Sequence, residues 1–312
     1  MTSLFSLVEA SDAAAKPFVH RLTTVSDFAG LQDLYGKLNE RKEKNKEDVE
    51  WVFRGHRDIA WILETTLDRA FKKLDPDNNL GPKIRLKLEG GLLRRFTRQS
   101  HHYLKHLPLD GNIMEWLALM RHHGAPCRLL DWTYLFWAAV FFALEHAEGK
   151  SSVWVANQKH LWSQFKLKQK ALSEFVDDEL PRSDPNVMVH KTFRAVFMVS
   201  QPFVCPINAY SLNERLVIQQ GTFLCPGDIS KTFEENLAAL APVDNSKPDL
   251  GDDVWEIRID ATLDERKNIL RHLHRMNMNE ATLYPGLDGF ARSLETLVII
   301  FPEMFRPEPD WI

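Results

Sequence analysis

Cysteine is scarce in this chain: there are three in 312 residues, Cys127, Cys205 and Cys225, and none forms a CxxC pair. An odd, widely spaced set supplies neither a disulfide framework nor a four-thiolate zinc site, and it fits a reducing, cytoplasmic compartment. Long hydrophobic runs are also lacking. The longest, Trp132–Leu144, has 13 residues, whereas a bilayer takes about 20, so it reads as a core helix and no membrane partner is expected. Residues 1–16 lack a basic start followed by an apolar stretch, which argues against a secretory leader, and residues 1–20 are expected to form a mobile N-terminus. No excess of one charge is present: the net charge is -4 and the sequence pI about 6.3, so nothing draws the whole molecule to nucleic acid or an anionic surface. There is no GxSxG elbow, no P-loop, no GxGxxG and no HExxH. Their absence removes the usual signatures of serine hydrolases, P-loop NTPases, dinucleotide-binding folds and zinc peptidases.

What is present suits a folded domain, since 44% hydrophobic and 26% charged residues leave ample material for a core. Ser26 can cap a helix carrying Phe28, Leu31, Leu34 and Leu38 at three- and four-residue spacing. Glu50–Arg54 favours a strand that ends at Arg54, with Gly55 permitting a sharp exit. Helices are expected over Ile84–Lys105, Gly111–Met120, Tyr134–Glu145 and Glu265–Met276, and strands over Ser152–Ala156, Arg194–Ser200 and Glu256–Asp260. Pro202, Pro206 and Asn208 mark a loop, Arg215–Cys225 reads as two short strand pieces around Gly221, and Ala241–Asp253 reads as a surface loop. Strands and helices mix without strict alternation, and no repeat or low-complexity linker divides them. The expected fold class is therefore α+β in a single domain over residues 21–312, a mixed or antiparallel sheet core with flanking helices.

The polar residues Arg54, His122, Arg128, Asp131 and Thr133 stand among Phe53, Leu129, Leu130, Trp132 and Trp137. Charges in so apolar a setting need partners. Arg128 and Asp131 are three apart and can meet on one turn as an internal ion pair, or face a ligand. Arg54 beside Gly55 can grip a phosphate or carboxylate with two parallel hydrogen bonds. His122 can act as a general acid or base, or simply close a helix. His101, His102, His106, His122, His123, His272 and His274 lack metal-site spacing, so no metal is expected. The aromatic stripe Trp132, Phe136, Trp137, Phe141 and Phe142 reads as core, and the basic run Arg94, Arg95 and Arg98 as a solvated helix face or a nucleic-acid contact.

VFRGH (Val52–His56) is similar to the FxRG signature of the FRG domain family, and the likeness continues in order. Trp61, Leu63, Thr65, Leu67 and Arg69 follow its loose pattern, and RHHGAPCRLLDWT (Arg121–Thr133) resembles its central QHxGxPTRLLDWT block. RLVIQQGTF (Arg215–Phe223) is similar to an RxxxQxGxF element, and LYPGLDGFARSL (Leu283–Leu294) to the closing segment. Two departures stand out: Arg121 replaces the usual Gln, and Cys127 the usual Thr. The family carries no settled common reaction, and the resemblance implies a context of bacterial phage defence.

The order of elements also resembles that of ADP-ribosyltransferases: Arg54 followed by Gly55, then Asp131–Thr133 leading to Ala138 and Phe142, then Glu214–Thr222 with its Gly-Thr turn. That likeness implies an ADP-ribosyltransferase-like fold with NAD as substrate. In it Arg54 would hold a phosphate, the middle strand would prop the nicotinamide pocket, and a carboxylate would stabilise an oxocarbenium-like ribose as nicotinamide leaves. Arg215 occupies the register of the key glutamate, with Glu214 its offset neighbour. Two functions follow. One is an enzyme, either a transferase with a nucleic-acid or protein acceptor or an NAD glycohydrolase, with His122, Glu214 and Gln220 catalytic and Arg54, Gly55, Arg128, Asp131, Thr133 and Arg215 binding ligand. The other is a non-catalytic module recognising a nucleotide, a nucleic-acid end or a protein through the same arginine.

Overall fold

The computed structural model describes residues 18, 20–46, 48–109, 112–172 (backbone only over 168–172), 200–208, 214–241 and 249–305. Seven strands among them form one sheet: β1 (Arg21–Val25), β2 (Trp51–His56), β3 (Leu130–Thr133), β4 (Ser151–Asn157), β5 (Val204–Ile207), β6 (Gly221–Pro226) and β7 (Val254–Ile259), in the spatial order β1-β7-β4-β2-β3-β6-β5. β1 pairs with β7 in parallel, and every other neighbouring pair is antiparallel. The helices are α1 (Phe28–Lys44), α2 (Thr66–Leu74), α3 (Pro82–Ser100), α4 (Ile113–His122), α5 (Phe136–Leu144), α6 (Gln158–Leu172), α7 (Glu214–Ile218), α8 (Phe233–Ala238), α9 (Leu263–Arg275), α10 (Glu280–Leu283) and α11 (Leu287–Ile300). The fold is α+β, a mixed sheet between two helical layers, as composition and patterning predict. No helix among the described residues is long and apolar enough to cross a membrane.

Alternation along the central strands divides the core in two. Trp51, Phe53, Val153, Val155, Ile257 and Ile259 face one side, against Leu31, Leu34 and Leu38 of α1, the apolar helix α5, and Ile269, Leu270 and Leu273 of α9. Val52, Trp154, Ala156, Leu130, Trp132 and Leu224 face the other, against α4, α6 and α8. Trp132–Leu144 is therefore not one helix. Its first two residues finish β3, and α5 begins at Phe136.

Several local expectations shift. The cap of α1 is Asp27, whose carboxylate accepts from the Gly30 N–H at 2.8 Å, one residue beyond Ser26. β2 runs on to His56, so Arg54 sits inside the strand opposite Trp154 and not at its end. Pro206 lies in strand β5 and not in a loop. β5 is an edge strand bonded only to β6, and an edge position tolerates a residue without an N–H. Arg215–Cys225 is a turn of helix followed by β6, not two strand pieces, and the chain reverses at Gln220 with a left-handed φ of 43°. Tertiary hydrogen bonds hold that reversal: Thr133 Oγ1 donates to the Gln219 carbonyl at 2.5 Å and Gln219 Nε2 to the Leu283 carbonyl at 2.8 Å. The strand expected at Arg194–Ser200 and most of the loop expected at Ala241–Asp253 lie outside the described residues.

Candidate functional site

A cleft of about 430 Å³ opens where β2, β3 and β6 meet the ends of α4, α5 and α7. Arg54, Gly55 and Arg57 line it from β2 and the turn after it, Arg121 and His122 from α4, Asp131, Trp132 and Thr133 from β3, and Glu145 from the end of α5. Arg215, Leu216 and Gln219 close the far side, with Tyr284 and the half-exposed Trp61 at other parts of the wall. Gly55 is required here by space and not by turn geometry, because β2 continues through it. A Cβ at this position would lie 2.2 Å from the Ala139 carbonyl oxygen and 2.6 Å from the Ala143 nitrogen, so only glycine lets α5 lie this close to β2.

Four guanidinium groups, from Arg54, Arg57, Arg121 and Arg215, converge on the cleft, against two carboxylates, from Asp131 and Glu145. Arg54 is fixed by its own strand layer: Nη1 donates to the Asp131 carbonyl at 2.7 Å and Nε to His56 Nε2 at 3.2 Å. Arg121 binds the Asp131 carboxylate, with Nε 2.6 Å from Oδ2. Arg57 meets Glu145 Oε1 at 2.5 Å. Arg215 has no ion-pair partner among the described residues, and its guanidinium lies 4.7 Å from the centre of the Tyr284 ring. Burial lowers the Arg54 pKa to about 10; Asp131 opposes that shift and the charges of Arg121 and Arg69 add to it. A cation held in this way gains from an incoming anion. Burial, and then the charges of His123 and Arg215, hold the His122 imidazole below its ordinary pKa, with Asp131 opposing the shift.

The site residues expected from sequence separate into two groups. Arg54, Gly55, His122, Asp131, Thr133 and Arg215 line one cleft. Arg128, Glu214 and Gln220 do not. Arg128 is 1% exposed and forms a two-pronged pair with Glu89 of α3, Nε to Oε1 at 2.7 Å and Nη2 to Oε2, while Nη1 reaches the Pro226 and Gly227 carbonyls. The expected pair with Asp131 is absent: residues 130–133 form a strand, so the two side chains do not share a helical turn, and Asp131 belongs to Arg121. Glu214 is exposed at the start of α7, and Gln220 is exposed at the chain reversal, where its carbonyl accepts from the Tyr134 N–H; Gln219 takes the place in the wall. Spacing did not single out Arg57, Arg121, Glu145, Gln219 or Tyr284. Two signals were available, since Arg121 is a departure from the family block and Tyr284 stands in the closing motif.

No curated protein and no solved structure matches this chain, so the likeness to ADP-ribosyltransferases rests on the order of its motifs alone. Residues 49–152 match the FRG domain family. That span runs from just before β2 to the start of β4 and carries Arg54, Gly55, Arg57, Arg121, His122, Asp131, Thr133 and Glu145, whereas Arg215, Gln219 and Tyr284 come from beyond it. The FxRG arginine and glycine and, from the HHGAPCRLLDWT block, His122, Gly124, Asp131, Trp132 and Thr133 thus line one cleft, and residues 49–152 carry an FRG domain.

Proposed function

We propose that the cleft binds a phosphate-bearing nucleotide, with NAD the first candidate, and that Arg54, Arg121 and Arg215 receive its phosphates. The observation that carries this reading is the excess of guanidinium over carboxylate in a single cleft, with Arg215 lacking an ion-pair partner among the described residues. Guanidinium groups match phosphate oxygens with paired, directional hydrogen bonds, and partial burial strengthens each of them. Leu216, Phe142, Trp61 and Tyr284 supply apolar and aromatic surface against which a base can pack.

Binding is the reading that the geometry favours over transfer of the ADP-ribosyl group. Departure of nicotinamide leaves positive charge on the ribose, which calls for a carboxylate facing it. Glu214, the residue expected for that task, is outside the cleft, and the two carboxylates that line it, Asp131 and Glu145, are paired with Arg121 and Arg57. Calorimetric titration with NAD, ADP-ribose and AMP tests the proposal. Binding with Kd below about 1 mM, weakened about tenfold or more in Arg215→Ala, is expected. Absence of binding by all three at that level defeats it. Nicotinamide release measured on the same samples separates the two readings: release that disappears in Arg54→Ala would establish the transferase or glycohydrolase.

A further inference from the structure

Where α5 ends beside α10, Glu145, His146 and Glu280 each bring one potential ligand atom to within 4.8 Å of the others. Both carboxylates are removed from water, with side chains 3% and 2% exposed. Glu145 Oε1 accepts from Arg57 at 2.5 Å and from the Tyr284 hydroxyl at 3.4 Å. Its Oε2 is fully buried and has no hydrogen-bond partner among the described residues. Glu280 Oε1 lies 3.3 Å from His146 Nε2, and Oε2 accepts from Thr296 at 3.3 Å. Burial, and then the neighbouring charge of Glu145, raise the Glu280 pKa. Two buried carboxylates side by side, one with an unused oxygen, require positive charge that Arg57 and His146, both partly exposed, supply only at the edges.

We propose that Glu145, His146 and Glu280 form a binding site for a first-row divalent cation of the zinc or manganese kind. An imidazole beside two carboxylates suits those ions better than magnesium or calcium, which prefer all-oxygen shells. Bonds of about 2.1 Å around one tetrahedral ion place its donors roughly 3.4 Å apart, so side-chain shifts of about 1 Å convert a spacing within 4.8 Å into a coordination shell. Three protein ligands with His146 partly exposed leave further positions for water. Glu145 also lines the arginine-rich cleft, so the ion would stand in the wall of that cleft next to Arg57.

This inference does not rest on nucleotide binding, and its test uses the metal alone. Protein stripped with a chelator should take up one Mn²⁺ per chain, followed by loss of the free-ion electron paramagnetic resonance signal, or one Zn²⁺ by calorimetry. His146→Ala and Glu280→Gln should each weaken uptake roughly tenfold or more with the circular dichroism spectrum unchanged. His146 is 40% exposed, so its truncation leaves the core intact and keeps the test decisive even where the Glu280 variant is poorly soluble. Arg54→Ala should leave metal uptake unchanged, which keeps this site experimentally distinct from the phosphate-binding group. Failure of the folded wild type to take up either ion, or uptake that His146→Ala and Glu280→Gln leave intact, overturns the proposal.

Discussion

Arg54 and Gly55 stand next to each other and do different work. The arginine is anchored through the Asp131 carbonyl and His56, which aims a half-buried cation into the cleft. Arg54→Lys keeps the charge and loses the planar fork, so NAD or ADP-ribose affinity by calorimetry should fall about tenfold, not merely by a small factor. The glycine packs directly beneath the α5 backbone. Gly55→Ala forces the helix away from β2 and should cost on the order of 3 kcal/mol, read from denaturant unfolding. A mild effect would show that α5 can move aside. The arginine and glycine of the FxRG signature thus meet one cleft-lining and one packing requirement at adjacent positions.

Among the elements, α3 is tied to the segment leading into β3 by the buried Arg128–Glu89 pair. Both side chains are buried and each neutralises the other, so removing one partner strands a buried charge. Glu89→Gln should destabilise the fold by about 3–5 kcal/mol in chemical unfolding, while a joint replacement of both residues by apolar side chains should recover much of that loss. β6 and α7 are linked to β3 in turn, through the ladder Leu130–Leu224 to Thr133–Gly221 and the Thr133 bond to Gln219. That connection brings Arg215 opposite Arg54, although the two residues are far apart in sequence.

For the molecule as a whole, charge sets two solution properties. Affinity for a phosphate ligand should drop as salt rises, because the guanidiniums of Arg57 and Arg121 are partly exposed and therefore screened. Salt-independent binding would point to apolar recognition instead. Stability should also respond to pH through Glu280, whose pKa in the fold is raised above its ordinary 4.5. In the unfolded chain the carboxyl loses its proton near 4.5, while the folded protein retains it to higher pH. The folded state then binds more protons, so this contribution is present below pH 4.5 and is lost as pH rises through the folded value. Metal-free protein should melt at a lower temperature at neutral pH than Glu280→Gln does, and the gap should close in acid. Thermal melts across pH check both the sign and the window.

The α+β class, most element positions and the Arg54–Thr133 concentration of polar groups were determined by the sequence alone, because periodicity, caps and turn residues act over a few neighbours. Partner choice was not determined in this way. Arg128 finds Glu89 and Asp131 finds Arg121 because β3 extends the chain where a helical turn would have joined them. Pro206 enters a strand because that strand lies at the sheet edge, and Gln219 rather than Gln220 faces the cleft because a left-handed residue reverses the chain. Arg57, Glu145, Tyr284 and the neighbouring pair His146 and Glu280 come together only through the packing of α5 against β2 and α10. Such contacts join residues from distant parts of the chain, and no local pattern encodes which of them meet; the motif resemblance placed Arg54 and Arg215 at one site, and the tertiary fold decided that Arg57, Glu145 and Tyr284 join them there while Arg128, Glu214 and Gln220 do not.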